Sequence, residues 1–211
     1  MATILRDWSY RYQWLYDTIT SVAAVAVGGE KRLRQLPLQG LDIQPETEVL
    51  DLCCGAGQVT RFLVESSNRV TGLDASPFAI KRAKDNVPQA QYIQGFAENM
   101  PLGECQFDVV QTSAALHEMN PQQLRQILKE VYRVLKPGGT FALIDFHQPT
   151  NKLFFPGLAM FLWLFETETA WQLLEMDLAK ELEDVGFGIG KQQLYAGGSL
   201  QAIHAKKPYM K

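Results

Sequence analysis

The feature that most constrains this chain is an alternation. From Thr47 to Phe146, short apolar runs take turns with helical stretches. TEVLDL (47–52), NRVTGLD (68–74), QYIQ (91–94), FDVVQTS (107–113) and TFALIDF (140–146) have the length of buried strands and are too short for buried helices. Helices are expected over Pro77–Asn86 and Gln122–Leu135, the second stopped by K-P-G-G (136–139). Further helices are expected at Trp8–Val27, Glu30–Leu36 and Glu175–Val185, and a last strand at LQAIHAK (200–206). Strands alternating with helices build a largely parallel sheet, so the fold class is α/β.

In such a sheet, ligands bind beyond the carboxyl ends of the strands. The residues there are Asp51–Gly57, Asp74, Gln94–Glu98, Gln111–Glu118 and Asp145–His147. VLDLCCGAGQVT (49–60) reads as a strand, a glycine turn and a helix start. Gly55 and Gly57 let a backbone approach a ligand without a Cβ in the way. A G-x-G-x-x-G fingerprint needs glycine where Thr60 stands, which counts against a nicotinamide dinucleotide. A turn with a purely structural purpose is the competing reading. Asp74 ends the second strand, 17 residues past Gly57, and an acid there can accept both hydroxyls of a ribose. Its competing role is a helix N-cap, but Ser76-Pro77 already supplies a cap and leaves the carboxylate free.

Composition narrows the function classes. At 211 residues the chain is one domain with decorations. A net charge of −3 and a pI near 5.7 give no basic face for nucleic acid. Three cysteines, Cys53 and Cys54 adjacent, make no disulfide framework and fit a reducing compartment. Three scattered histidines without a C-x-x-C pair argue against a structural metal. No run reaches the ~20 apolar residues of a membrane span, and the uncharged stretch 18–29 begins too late for a signal peptide. A cytoplasmic protein is expected, at most peripheral to a membrane.

VLDLCCGAG, VTGLDAS, GFAENMP, FDVVQTSAALHEM and LKEVYRVLKPGGTFALID resemble, in order and spacing, the class I S-adenosylmethionine-dependent methyltransferases. The resemblance implies a Rossmann-like sheet of seven strands, mostly parallel, with helices on both faces. It implies S-adenosylmethionine as cofactor. Asp51, Cys53, Gly55 and Gly57 would then hold the methionine moiety and Asp74 the ribose. Ala97 and Glu98 would edge the adenine, and Ala75 and Thr112 would complete the contacts. Two positions depart from the family. Cys53 stands where the first turn glycine is usual, and tighter packing is expected there. Phe96 stands where an adenine-binding aspartate is common. A phenylalanine can stack on the base, or point away while a backbone carbonyl accepts.

Outside the cofactor half, 15–34, ALIDFHQPTN (142–151) and YAGGSLQAIHAKKP (195–208) are similar to segments of the ubiquinone and menaquinone C-methyltransferases of the UbiE type. A-A-L-H-E (114–118) replaces that family's F-G-L-R-N and puts His117 where the family has an arginine. The resemblance implies C-methylation of a prenylquinone-like or other apolar aromatic acceptor. There a phenol is deprotonated and an ortho carbon attacks the methyl. His117 is then a candidate base, titrating near neutrality, and Tyr16 a candidate hydrogen-bond donor to the ring oxygen. Each has packing as its alternative. Glu118 reads as solvated or capping, His147 as a loop residue, and His204, Cys53 and Cys54 as packing residues. LFFPGLAMFLWLF (153–165) carries no charge and spans ~20 Å as a helix. It is core, a lid over an apolar substrate, or a contact with a membrane surface. The expected organisation is an N-terminal helical cap over 1–40, its long helix lying across the cofactor mouth, and a core over 41–211 with a lid-like insertion at 150–172. Two alternatives stay open: methylation of a polar amine or hydroxyl, and a non-catalytic binding subunit, which only Phe96 favours.

Overall fold

The apolar runs pair into one sheet. In the computed structural model, which describes Ala24 and residues 27–209, the strands are β1 (Glu48–Leu52), β2 (Arg69–Asp74), β3 (Gln91–Gln94), β4 (Phe107–Ser113), β5 (Leu135–Phe146), β6 (Gly188–Tyr195) and β7 (Leu200–Lys206). Their order is β3-β2-β1-β4-β5-β7-β6. The first five strands in that order pair in parallel, and β7 is antiparallel to both β5 and β6. Six strands therefore run one way and β7 the other. The chain winds outward from β1 to β3 and then returns to β4. That reversal opens a crevice at the carboxyl ends of β1 and β4.

The helices are α1 (Glu30–Gln35), α2 (Thr60–Leu63), α3 (Pro77–Asn86), α4 (Pro121–Val134), α5 (Phe155–Phe165), α6 (Glu168–Glu175) and α7 (Leu178–Val185). Their starts are written in the sequence. Ser76 accepts from the Ala79 amide, with Pro77 in the first turn. Asn120 and Gln123 form a reciprocal capping box before α4. Asp177 caps α7, and Gly186, at φ 113°, ends it.

Alternate residues of the central strands feed two cores, as the pleat requires. Leu50, Leu52 and Val110 pack with Leu124, Ile127, Leu128 and Val131 of α4 and Leu182 of α7. Val49, Val70 and Val109 pack on the other face with Val59 and Leu63. A third cluster joins Ala24, Val27, Leu33 and Leu36 to Ile144 and Ala202. The start of the described chain thus packs on β5 and β7. The rest of the expected helix Trp8–Val27, with Tyr16, lies outside the described residues.

Three elements differ from their sequence reading. β5 starts at Leu135, not Thr140, because Leu135 pairs with Phe107 before a register shift that Gly138 accommodates at φ 81°. The helix expected over Glu175–Val185 starts only at Leu178, after extended Met176 and the Asp177 cap, and a separate helix α6 ends at Glu175. β6 escaped detection as an element because it is a largely exposed edge strand without an apolar alternation.

Candidate cofactor and acceptor site

A cavity of about 890 Å³ opens at the strand ends. Of the residues expected around a cofactor, Asp51, Cys53, Gly55, Asp74, Ala75, Ala97 and Glu98 line it. Gly57 and Thr112 do not. A Cβ on Gly57, at φ 85°, would meet Val87 Cγ2 at 3.2 Å, so the missing side chain serves packing against α3 rather than ligand approach. Thr112 is fully buried, while Gln111 and Ser113 on either side line the cavity. Strand alternation sends the threonine to the opposite face.

The glycine turn after β1 is locked to the end of β2. Gly55, at φ 55°, donates its N–H to Asp74 Oδ2 at 2.9 Å, and the Ser76 N–H donates to Asp74 Oδ1 at 2.8 Å. The Asp74 carboxylate is therefore held rather than free, although each oxygen keeps acceptor capacity. Cys53 takes φ 57°, a conformation that favours glycine. This is what the departure at that position entails: left-handed backbone, not only tighter packing. Phe96, 64% exposed, sits on the cavity rim with Phe78 of α3.

Asp51 is the electrostatic centre. Thr60 Oγ1 donates to its Oδ2 at 2.5 Å, and Gln111 Nε2 donates to its Oδ1. Burial pushes its carboxyl up to about 6, against the two hydrogen bonds and the nearby Arg34 charge. Arg34 itself lines the cavity. Sequence reasoning missed it because it lies upstream of every cofactor motif. It is buried, and its Nε and Nη2 have no hydrogen-bond partner; Gln111 Oε1 and Ser113 Oγ are likewise buried and unpaired. Unpaired buried donors and acceptors beside a glycine turn fit a ligand with polar ends.

On the β4–β5 side His117 stands outside the cavity. The ring is buried and is not among the cavity-lining residues. Its Nδ1 lies 2.7 Å from Asp145 Oδ1, and its Nε2 lies 3.5 Å from Glu166 Oε2. Burial alone lowers the imidazole pKa, but the Asp145 charge and hydrogen bond, with Glu166 and Glu118, raise it to about 9. The shift favours the protonated ring between the two carboxylates. Asp145 also accepts from the amides of Leu116, His117 and Phe146, which pins the turn after β4. His147 and His204 are fastened to backbone carbonyls, of Gly198 and Pro37 respectively. Glu118 lines the cavity. Burial pushes the thiols of Cys53 and Cys54 up, which keeps them protonated and unreactive. Among the described residues, no group of three or more His, Cys, Asp or Glu is arranged to hold a metal.

The apolar stretch 153–165 is mostly α5. Only Leu162 is buried, against Ala170 and Leu174 of α6. Leu153, Met160 and Trp163 are 85%, 62% and 71% exposed. On its inner side Phe161 meets Phe146, whose ring lies 4.6 Å from that of His117. Among the described residues, no helix is long and apolar enough to cross a membrane.

Residues 49–139 match the model of a methyltransferase domain. An uncharacterized methyltransferase of Synechocystis sp. (strain PCC 6803) is 58% identical over 98% of this chain and 97% of its own. A 2-phytyl-1,4-naphthoquinone methyltransferase of Thermosynechococcus vestitus is 35% identical over 64% of this chain and 61% of its own. A demethylmenaquinone methyltransferase of Listeria welshimeri is 29% identical over 87% of each chain. Among solved structures, the putative methyltransferase complexed with the Trm112 activator of Haloferax volcanii superposes with a TM-score of 0.70 at 17% identity, covering 98% of this chain and 99% of that one. With that sheet order, that crevice and those relatives, the chain belongs to the class I S-adenosylmethionine-dependent methyltransferases and takes S-adenosylmethionine as its cofactor.

Proposed function

We propose that the protein methylates a ring carbon of an apolar aromatic acceptor of the prenylquinol class. The observation that carries this reading is α5. With the turn before it, it follows the carboxyl end of β5 and turns Leu153, Met160 and Trp163 outward with no charged side chain among them. Such a surface has little to offer a polar substrate and suits a prenyl chain or fused ring. The two quinone methyltransferases among the relatives support the same acceptor class.

S-adenosylmethionine supplies an electrophilic methyl group carried on a sulfonium. The chain's task is alignment and exclusion of water. The turn after β1 and Asp74 hold the donor side, and the exposed apolar face of α5 is the surface offered to the acceptor's apolar tail. A quinol carbon becomes nucleophilic when a phenolic proton leaves. That proton passes to solvent, and His117, buried outside the cavity between Asp145 and Glu166, serves to fix the turn after β4 in place.

The test is turnover of a 2-prenyl-1,4-naphthoquinol against a catechol, in the parent and in Trp163→Asp. The prenylquinol should be the better substrate. Trp163→Asp should lower its kcat/KM by about tenfold or more, the scale of losing one large apolar contact, and leave S-adenosylhomocysteine binding within twofold. Preference for the catechol, or an unaltered kcat/KM in Trp163→Asp, overturns the proposal.

A further inference from the structure

The cavity is lined by a buried arginine whose Nε and Nη2 make no hydrogen bond. Arg34, in the last turn of α1, is 4% exposed and lines the cavity. Its Nε and Nη2 have no hydrogen-bond partner. Glu30 Oε1, one turn earlier, stands 3.8 Å from Nε, beyond hydrogen-bond reach. Asp51 feels the guanidinium charge, yet its own oxygens are taken by Thr60 and Gln111. A buried guanidinium whose one carboxylate neighbour forms a long ion pair but no hydrogen bond leaves N–H donors unsatisfied, so a ligand that bonds them gains more than it would from a solvated arginine. The planar fork of N–H donors matches a carboxylate.

The surroundings narrow the ligand further. Gln111 Oε1 and Ser113 Oγ are buried and unpartnered, and both residues line the same cavity. Open donors on one side and open acceptors on the other are complementary to a zwitterion. The cofactor has one such group, the α-carboxylate and α-ammonium of its methionine end. We infer that Arg34 binds the α-carboxylate of S-adenosylmethionine, with Gln111 and Ser113 accepting from the ammonium beside it. The residue lies outside the segment 49–139 that matches the methyltransferase domain, so α1 completes a site that the domain motif leaves open at one end. The inference concerns the donor and is independent of the acceptor.

The experiment is calorimetric titration of the full chain with S-adenosylhomocysteine and with its carboxamide, which is neutral at the position in question. The parent should prefer the carboxylate by about 10- to 100-fold, the scale of a hydrogen-bonded charge pair. Arg34→Met should lose that preference, binding both ligands with the affinity the parent shows for the carboxamide. Arg34→Lys, which keeps the charge without the fork, should fall between. Equal affinity of the parent for the two ligands overturns the assignment without any variant. So does an Arg34→Met protein that retains the preference. If Arg34→Met does not fold, the parent ratio and Arg34→Lys decide.

Discussion

Asp51 shows at the scale of one residue how a binding site opposes stability. Its carboxyl is raised from 3.8 to about 6. A raised folded-state pKa means that the stability associated with this group is present below pH 3.8 and is lost as pH rises through about 6. At neutral pH the group is an ionised, buried liability in the ligand-free protein. Asp51→Asn removes the charge and nearly preserves the shape. In urea denaturation at pH 8 it should gain stability on the order of 2 kcal/mol, while S-adenosylhomocysteine binding weakens by about tenfold. No gain at pH 8 would mean that Thr60 and Gln111 already compensate the burial. The same scale separates Gly55 from Gly57. Both are glycines with positive φ in one turn, yet one lines the cavity and the other makes room for α3.

At the scale of elements, the cluster of His117, Asp145 and Glu166 ties the turn after β4, the end of β5 and the end of α5 together. The His117 pKa is raised from 6.5 to about 9. Its contribution is therefore fully present below pH 6.5 and is lost as pH rises through about 9. Unfolding free energy of the parent should drop by on the order of 2 kcal/mol between pH 6 and pH 8. His117→Gln should remove most of that slope, and a parallel pH profile in the two proteins would show that the imidazole is neutral. Because Glu166 follows α5 directly, loss of the charge should also loosen that helix, read as faster amide exchange in 155–165 than in α4.

At the scale of the molecule, the cofactor site joins parts that fold from distant sequence: α1, the turn after β1, the end of β2 and the end of β4. A ligand bridging them stabilises the whole domain by mass action. S-adenosylhomocysteine at 100 times its Kd should add about 2.7 kcal/mol, a rise in Tm of roughly 5–10 °C for a domain of this size. NADH at the same concentration should leave Tm unaltered, since Thr60 replaces the third glycine of a dinucleotide turn. A comparable rise with NADH would reverse the cofactor assignment from the protein's own behaviour.

The sequence by itself determined what depends on local chemistry. Apolar runs of strand length, the Ser76 cap and the helix stop at Gly186 act over a few residues, so β1 to β4, the end of β5, α3 and α4 were legible, as was the placing of Asp51, Gly55 and Asp74 at strand ends. Edge strand β6 was not, since a strand exposed on both faces needs no apolar period. Tertiary structure alone decided the roles of His117, Thr112 and Arg34. An isolated histidine titrates near 6.5, and the acids around His117, Asp145 and Glu166 brought in by β5 and α5 foremost, push its pKa upward. Thr112 is polar in sequence but faces away from the cavity. Arg34 looks like any surface arginine of an amphipathic helix until packing of α1 on β5 and β7 buries it beside Asp51. Burial and long-range charge are sums over neighbours that the chain acquires only on folding, and a site's electrostatics therefore cannot be read one segment at a time.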